Sequence, residues 1–86
     1  MELPATDYVD IELARPILVD GVSVKVLRMR EPTVGDQLAM DVVKGGDAAK
    51  ELAMMSNLCQ ITPEQLQTLT LRDYKKVQAA FVNFTS

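Results

Sequence analysis

The sequence predicts an α+β domain: an N-terminal antiparallel β-hairpin over about residues 8–30, then three to four helices over about 34–44, 47–58, 63–68 and 71–83. Three observations carry this. Apolar residues alternate on both sides of Asp20-Gly21, apolar residues then recur at helical spacing, and Thr62-Pro63-Glu64-Gln65 and Thr70-Leu71-Arg72-Asp73 read as consecutive helix starts. Residues 1–7 show no period and contain Pro4, so a flexible tail is expected ahead of a single domain over 8–86.

In the first strand Val9, Ile11 and Leu13 share one face, with Asp10 and Glu12 on the other. In the second, Val22, Val24 and Val26 alternate with Ser23 and Lys25. Asp20-Gly21 between them is a hairpin dipeptide, because glycine takes positive φ without steric penalty. A two-residue turn pairs Val19 with Val22 and Ile17 with Val24. Farther out, side-chain chemistry prefers Leu13 opposite Leu27, Ile11 opposite Met29, Glu12 opposite Arg28 and Asp10 opposite Arg30. These registers differ by one residue, so either a bulge near Arg15-Pro16 absorbs it or Val19-Asp20-Gly21 forms a three-residue turn. Pro16 suits an edge or bulge in both cases.

Thr33, with Asp36 at the third position, caps a helix on which Val34, Leu38 and Val42 recur every four residues, ending near Lys44. Gly45-Gly46 breaks it and Asp47 caps the next, where Leu52, Met55 and Cys59 form one stripe with Leu58 beside it. Thr62, Pro63 and Gln65 make a Thr-x-x-Gln capping box with proline at the first helical position. Thr70 and Asp73 repeat the box with a shorter acid, opening a last helix along which Tyr74, Val77, Phe81 and Phe84 are spaced three, four and three.

The 86 residues suit one domain with a thin core; apolar residues make up 48% and charged residues 24%. Two Tyr, two Phe and no Trp leave Leu, Val, Ile and Met to do the packing. The lone Cys59 cannot form an internal disulfide, and a reducing compartment fits it. The absence of His removes Ser-His and Cys-His catalysis and the main nitrogen ligand of zinc sites. No motif gathers carboxylates into a pocket, so no catalytic residue, cofactor or metal is expected. A net charge of −3 repels phosphate backbones. No apolar run suits a signal peptide or a membrane span. Nucleic acid and membrane are therefore not expected partners.

The stretch from Leu27-Arg28-Met29-Arg30-Glu31-Pro32-Thr33 to Asp36, and the stretch from Leu58-Cys59-Gln60-Ile61-Thr62-Pro63 through Leu71-Arg72-Asp73-Tyr74, resemble the tail assembly chaperone family of long-tailed phages, especially its small Mu-like prophage members. Cys59-Gln60 stands where related sequences more often have a small residue or Gly. The resemblance implies a protein without enzymatic activity, working in the host bacterial cytoplasm. It implies binding of the tape measure protein during tail morphogenesis and absence from the mature virion. It also implies that tail tube subunits are recruited through a longer, frameshifted form. A homo-oligomer is left open. The alternatives are a small structural or adaptor subunit of a tail or other assembly, and a helix-turn-helix-like DNA-binding protein.

Chaperoning requires apolar surface that prefers a partner, and the candidate residues are Met54, Met55, Tyr74, Val77, Phe81 and Phe84. Met54 and Met55 are adjacent on a helix and cannot point the same way, so partial exposure of at least one is expected. For any single one of these residues, core packing is the favoured role, because a small domain has little apolar surface to spare. Lys25, Arg28 and Arg30, and the second cluster Arg72, Lys75 and Lys76, read as solvated faces, with Asp10 and Glu12 offsetting the first across the hairpin.

Overall fold

A computed structural model describes residues 7–86, so all but the last residue of the expected N-terminal tail lie outside the described residues. Strands β1 (Tyr8–Val19) and β2 (Val22–Arg30) form a two-stranded antiparallel sheet, followed by helices α1 (Val34–Asp41), α2 (Asp47–Cys59), α3 (Pro63–Leu66) and α4 (Leu71–Phe84). The helices cover one face of the hairpin. α4 and α3 lie on β1, α2 lies on β2, and α1 packs against α2.

The turn is the two-residue form. Asp20 and Gly21 both take positive φ, 53° and 81°, the pair whose twist matches flanking right-handed strands. Near the turn Val19 faces Val22 and Ile17 faces Val24, as the dipeptide dictates. The outer register differs from expectation. Asp10 faces Arg28, Ile11 faces Leu27 and Tyr8 faces Arg30, because β1 inserts four residues, Leu13 to Pro16, where β2 has only Lys25. The bulge near Arg15-Pro16 therefore absorbs three extra residues, not one, and the outer pairing moves two positions further.

Side-chain partners explain why the larger bulge is stable. Pro16 has no amide hydrogen, and the amides of Ala14 and Arg15 donate to the two carboxylate oxygens of Asp73 at 2.9 and 3.1 Å. The ladder donors lost at the bulge are thus satisfied from α4. With the register moved, Arg28 pairs with Asp10 at 2.9 Å and lies 5.6 Å over the Tyr8 ring. Arg30 is freed to clasp Asp36 through two 2.7 Å hydrogen bonds. The faces are kept, because a two-position move preserves the alternation: Leu27 and Met29 are buried with Ile11, Leu13 and Ile17, whereas Val22 and Val26 are exposed.

Caps delimit the helices. Thr33 Oγ1 accepts from the Asp36 amide, and Asp36 accepts from the Thr33 amide at 2.8 Å, a complete capping box. α1 ends at Asp41 rather than near Lys44, because β-branched Val42 and Val43 precede the Gly45-Gly46 break. Gly46, not Asp47, is the N-cap of α2. Asp47 is the first residue inside, where its charge meets the positive helix end. At the other end Gln60 takes left-handed φ 58°, with the Gln60 amide on Asn57 O and the Ile61 amide on Ser56 O, the Schellman arrangement. The Thr62–Gln65 box is complete, and α3 stops at Leu66, two residues short of expectation. Thr70 accepts from the Asp73 amide, but the second half of that box is missing. The Asp73 carboxylate is at the bulge instead.

Met29, Leu58, Leu66 and Val77 are the most deeply buried apolar side chains, each worth roughly 1.5–3 kcal/mol of burial. Asp73 is fully buried among them. Its carboxyl is held at about 2, first by the Ala14 amide, with Arg15 and Lys76 adding to the effect. Asp36 is likewise held at about 2, chiefly by Arg30. Both lie below the ordinary 3.8, so the stability tied to their charged forms is present above that value and lost as pH falls from 3.8 toward 2.

Urea midpoints measured from about pH 7 down to about pH 2.5 are accordingly expected to drop mainly below about pH 4. Asp73→Ala is expected to flatten that decline and, by orphaning two bulge amides, to lower the thermal midpoint at neutral pH by roughly 5–15 °C. A midpoint unchanged at neutral pH would contradict the role assigned to the carboxylate. At the αL position, Gln60→Gly is expected to keep or raise stability by up to about 1 kcal/mol, and Gln60→Val to lower it by about 1 kcal/mol or more, read from the same urea curves.

Candidate partner-binding groove

The six candidate residues separate into two groups. Met54, Met55 and Val77 are buried, whereas Tyr74, Phe81 and Phe84 are half-buried and pack against the core. The expectation that Met54 or Met55 would be partly exposed does not hold, since they are only 6% and 3% accessible. The cause is that α2 is covered on two sides. Met54 turns toward Ala39, Met40 and Val43 around α1, and Met55 turns into the main cluster.

Three of the six meet at one place. A groove of about 520 Å³ opens between α1, α2 and the end of α4, with Met40, Met54, Met55 and Phe81 as its apolar lining. Its rim carries Asp41, Asp47, Glu51 and Lys50. The Lys50 ammonium donates to the Asp41 backbone carbonyl at 2.9 Å, while Glu51 accepts from the Tyr74 hydroxyl at 2.7 Å and from Gln78 at 2.9 Å. Burial, reinforced by Glu51, pushes the Tyr74 hydroxyl well above its usual range, so it stays a neutral donor that fixes Glu51 in place. Tyr74 itself lies at a second hollow of about 270 Å³, with Leu52, Leu66, Leu69 and Leu71. The aromatic series of α4 is therefore not one partner face.

Sequence reading missed the outer face of α1. Val34, Leu38 and Val42, taken there as the signature of the helix, are 76%, 63% and 81% accessible. The geometry of Asp36 explains this. Asp36 is bound to Arg30 of the hairpin, and at about 100° per residue both Val34 and Leu38 lie some 160° around the helix from it. A surface helix ordinarily turns polar residues outward, so this exposed apolar row departs from the usual amphipathic pattern. The alternative spacing of Ala39, Met40 and Val43 was the available signal for the packed face.

Other chemistry is quiet. Cys59 is buried and burial raises its thiol to about 11, so it is not a reactive thiolate near neutral pH. Among the described residues no group of three or more Cys, Asp or Glu is placed to hold a metal ion. Arg72 and Lys75 are exposed, and Lys76 is occupied by Asp73 at 3.3 Å and by the Glu12 carbonyl at 2.9 Å.

A family model described as phage tail assembly chaperone proteins, E, or 41 or 14, matches residues 10–86. The chain belongs to this phage tail assembly chaperone family. Comparison with curated proteins and with solved structures found no match. The tail assembly chaperone assignment extends over the bulged hairpin and all four helices, including both stretches that carried the sequence resemblance. For such a chaperone the features of interest are apolar surfaces free to meet another polypeptide, and here these are the α1 row and the groove beside it.

Core and surface are separable by mutation. Leu38→Gln is expected to change unfolding free energy by no more than about 0.5 kcal/mol, since the side chain is mostly solvated. Met54→Ala, which empties a packed site, is expected to lower it by about 2–5 kcal/mol in the same chemical denaturation assay.

Proposed function

We propose that this tail assembly chaperone binds the tape measure protein during tail morphogenesis, in the host bacterial cytoplasm, and is absent from the mature virion. Family membership carries the reading. The exposed Val34, Leu38 and Val42 row supports it, because holding an aggregation-prone chain requires apolar surface that the chaperone does not bury in its own core. The groove adds one partly buried methionine, Met40, an adaptable contact for varied side chains. Recruitment of tail tube subunits by a longer, frameshifted product belongs to the same proposal. The charge of −3 argues against a nucleic-acid partner. No helix among the described residues is long and apolar enough to cross a membrane.

Coexpression with the tape measure protein of the same phage tests the reading. The expected result is that the long partner stays soluble and copurifies with the chaperone, whereas alone it aggregates. Mass spectrometry of purified tails is expected to lack the chaperone. Its stoichiometric presence there would instead make it a structural subunit, and a tape measure protein that is soluble and monodisperse alone would remove the need for the proposed activity.

A further inference from the structure

The groove and the α1 face beside it have properties that specify the segment they would take. Their walls are helices, whose backbone groups are already paired, so no sheet edge is available to an extended chain. An occupant must satisfy its own backbone hydrogen bonds, which in a short segment means a helix. α1 spans eight residues, roughly 12 Å, enough to contact about two turns of a partner helix. Met40 lines the groove with Phe81 across from it, and Leu38 stands on the far side of the rim residue Asp41, one turn from it along α1.

Charge sets the rest. Asp41, Asp47 and Glu51 stand on the rim against one cation, Lys50, whose ammonium is already held by the Asp41 carbonyl. Neither Asp41 nor Asp47 takes part in an ion pair among the described residues. Glu51 is bound by neutral donors, so its charge is not cancelled. The carbonyl ends of α1 and α4, at Asp41 and Thr85, add partial negative charge at the same opening, where Asp47 meets the positive amino end of α2.

We infer that this surface binds an amphipathic helix whose apolar stripe is flanked by Lys or Arg. The inference rests on the proposed tape measure binding and names the kind of segment within that partner. An acidic helix with the same stripe is disfavoured, because its carboxylates would face three rim carboxylates against the single ammonium of Lys50.

The test uses two synthetic peptides of roughly 18 residues, about five turns, with one apolar stripe and either Lys or Glu flanks, together with overlapping peptides spanning the tape measure protein. Fluorescence anisotropy against the full chain is expected to favour the Lys-flanked peptide by about tenfold or more, with the preference shrinking as salt rises. The tape measure peptides that bind are expected to be helical and basic at the flanks. Asp41→Lys, benign at a helix C-terminus, is expected to erase most of the preference, and Leu38→Gln to weaken both peptides by about fivefold or more, with thermal midpoints unchanged. Equal binding of both peptides, or a preference unaltered in Asp41→Lys, overturns the inference. Undiminished binding of whole tape measure protein by the Leu38→Gln/Asp41→Lys double variant overturns the groove while leaving the chaperone reading intact. Failure of the unmodified chain to bind tape measure protein, with the Lys preference and its loss in Asp41→Lys preserved, refutes the partner and upholds the groove chemistry.

Discussion

One buried carboxylate organises this domain. Asp73 reaches from the first turn of α4 into a bulge of β1 and accepts from the Ala14 and Arg15 amides, positions where the β-ladder offers no partner. Without it, the Ala14 and Arg15 amides of the inserted segment would lack a protein partner. With it, the strand can bend over the helices, the outer register moves, and Arg28 and Arg30 acquire separate carboxylate partners. The hairpin-to-α1 clasp of Arg30 and Asp36 follows from the same register. A single helix-to-strand contact therefore positions α4 directly and α1 indirectly.

What the sequence made legible was local. Asp20-Gly21 determines its own turn, and the threonine caps at residues 33, 62 and 70 determine three helix starts, because each depends on residues within a few positions of one another. The outer hairpin register was not legible, since it depends on Asp73, far away in the chain and apparently committed by spacing to its own capping box. The face of α1 was not legible for a related reason. A four-residue apolar recurrence says that a face exists, but whether it looks inward was decided by Asp36, which a salt bridge turned toward the hairpin.

The candidate site divides along the same line. Apolar periodicity marked a Leu52, Met55 and Cys59 stripe on one helix and a Tyr74, Val77, Phe81 and Phe84 stripe on another, and in the structure both stripes meet in one core. The groove draws only Met54, Met55 and Phe81 from the residues singled out in the sequence, and its rim comes from charged positions with no pattern of their own. Such a surface emerges only when three helices are placed together. Its apolar row and acidic border then coexist at the periphery of the fold, away from the Asp73 contact that holds the hairpin to α4.

The separation of 59 residues between Ala14 and Asp73 also bears on biosynthesis. During translation β1 and β2 emerge early, but the partner that completes the bulge leaves the ribosome only with α4. Until then the nascent hairpin retains two open amides and an uncovered apolar face. The domain thus closes late, as a unit, and a chain interrupted before its last helix lacks the group that secures its first strand.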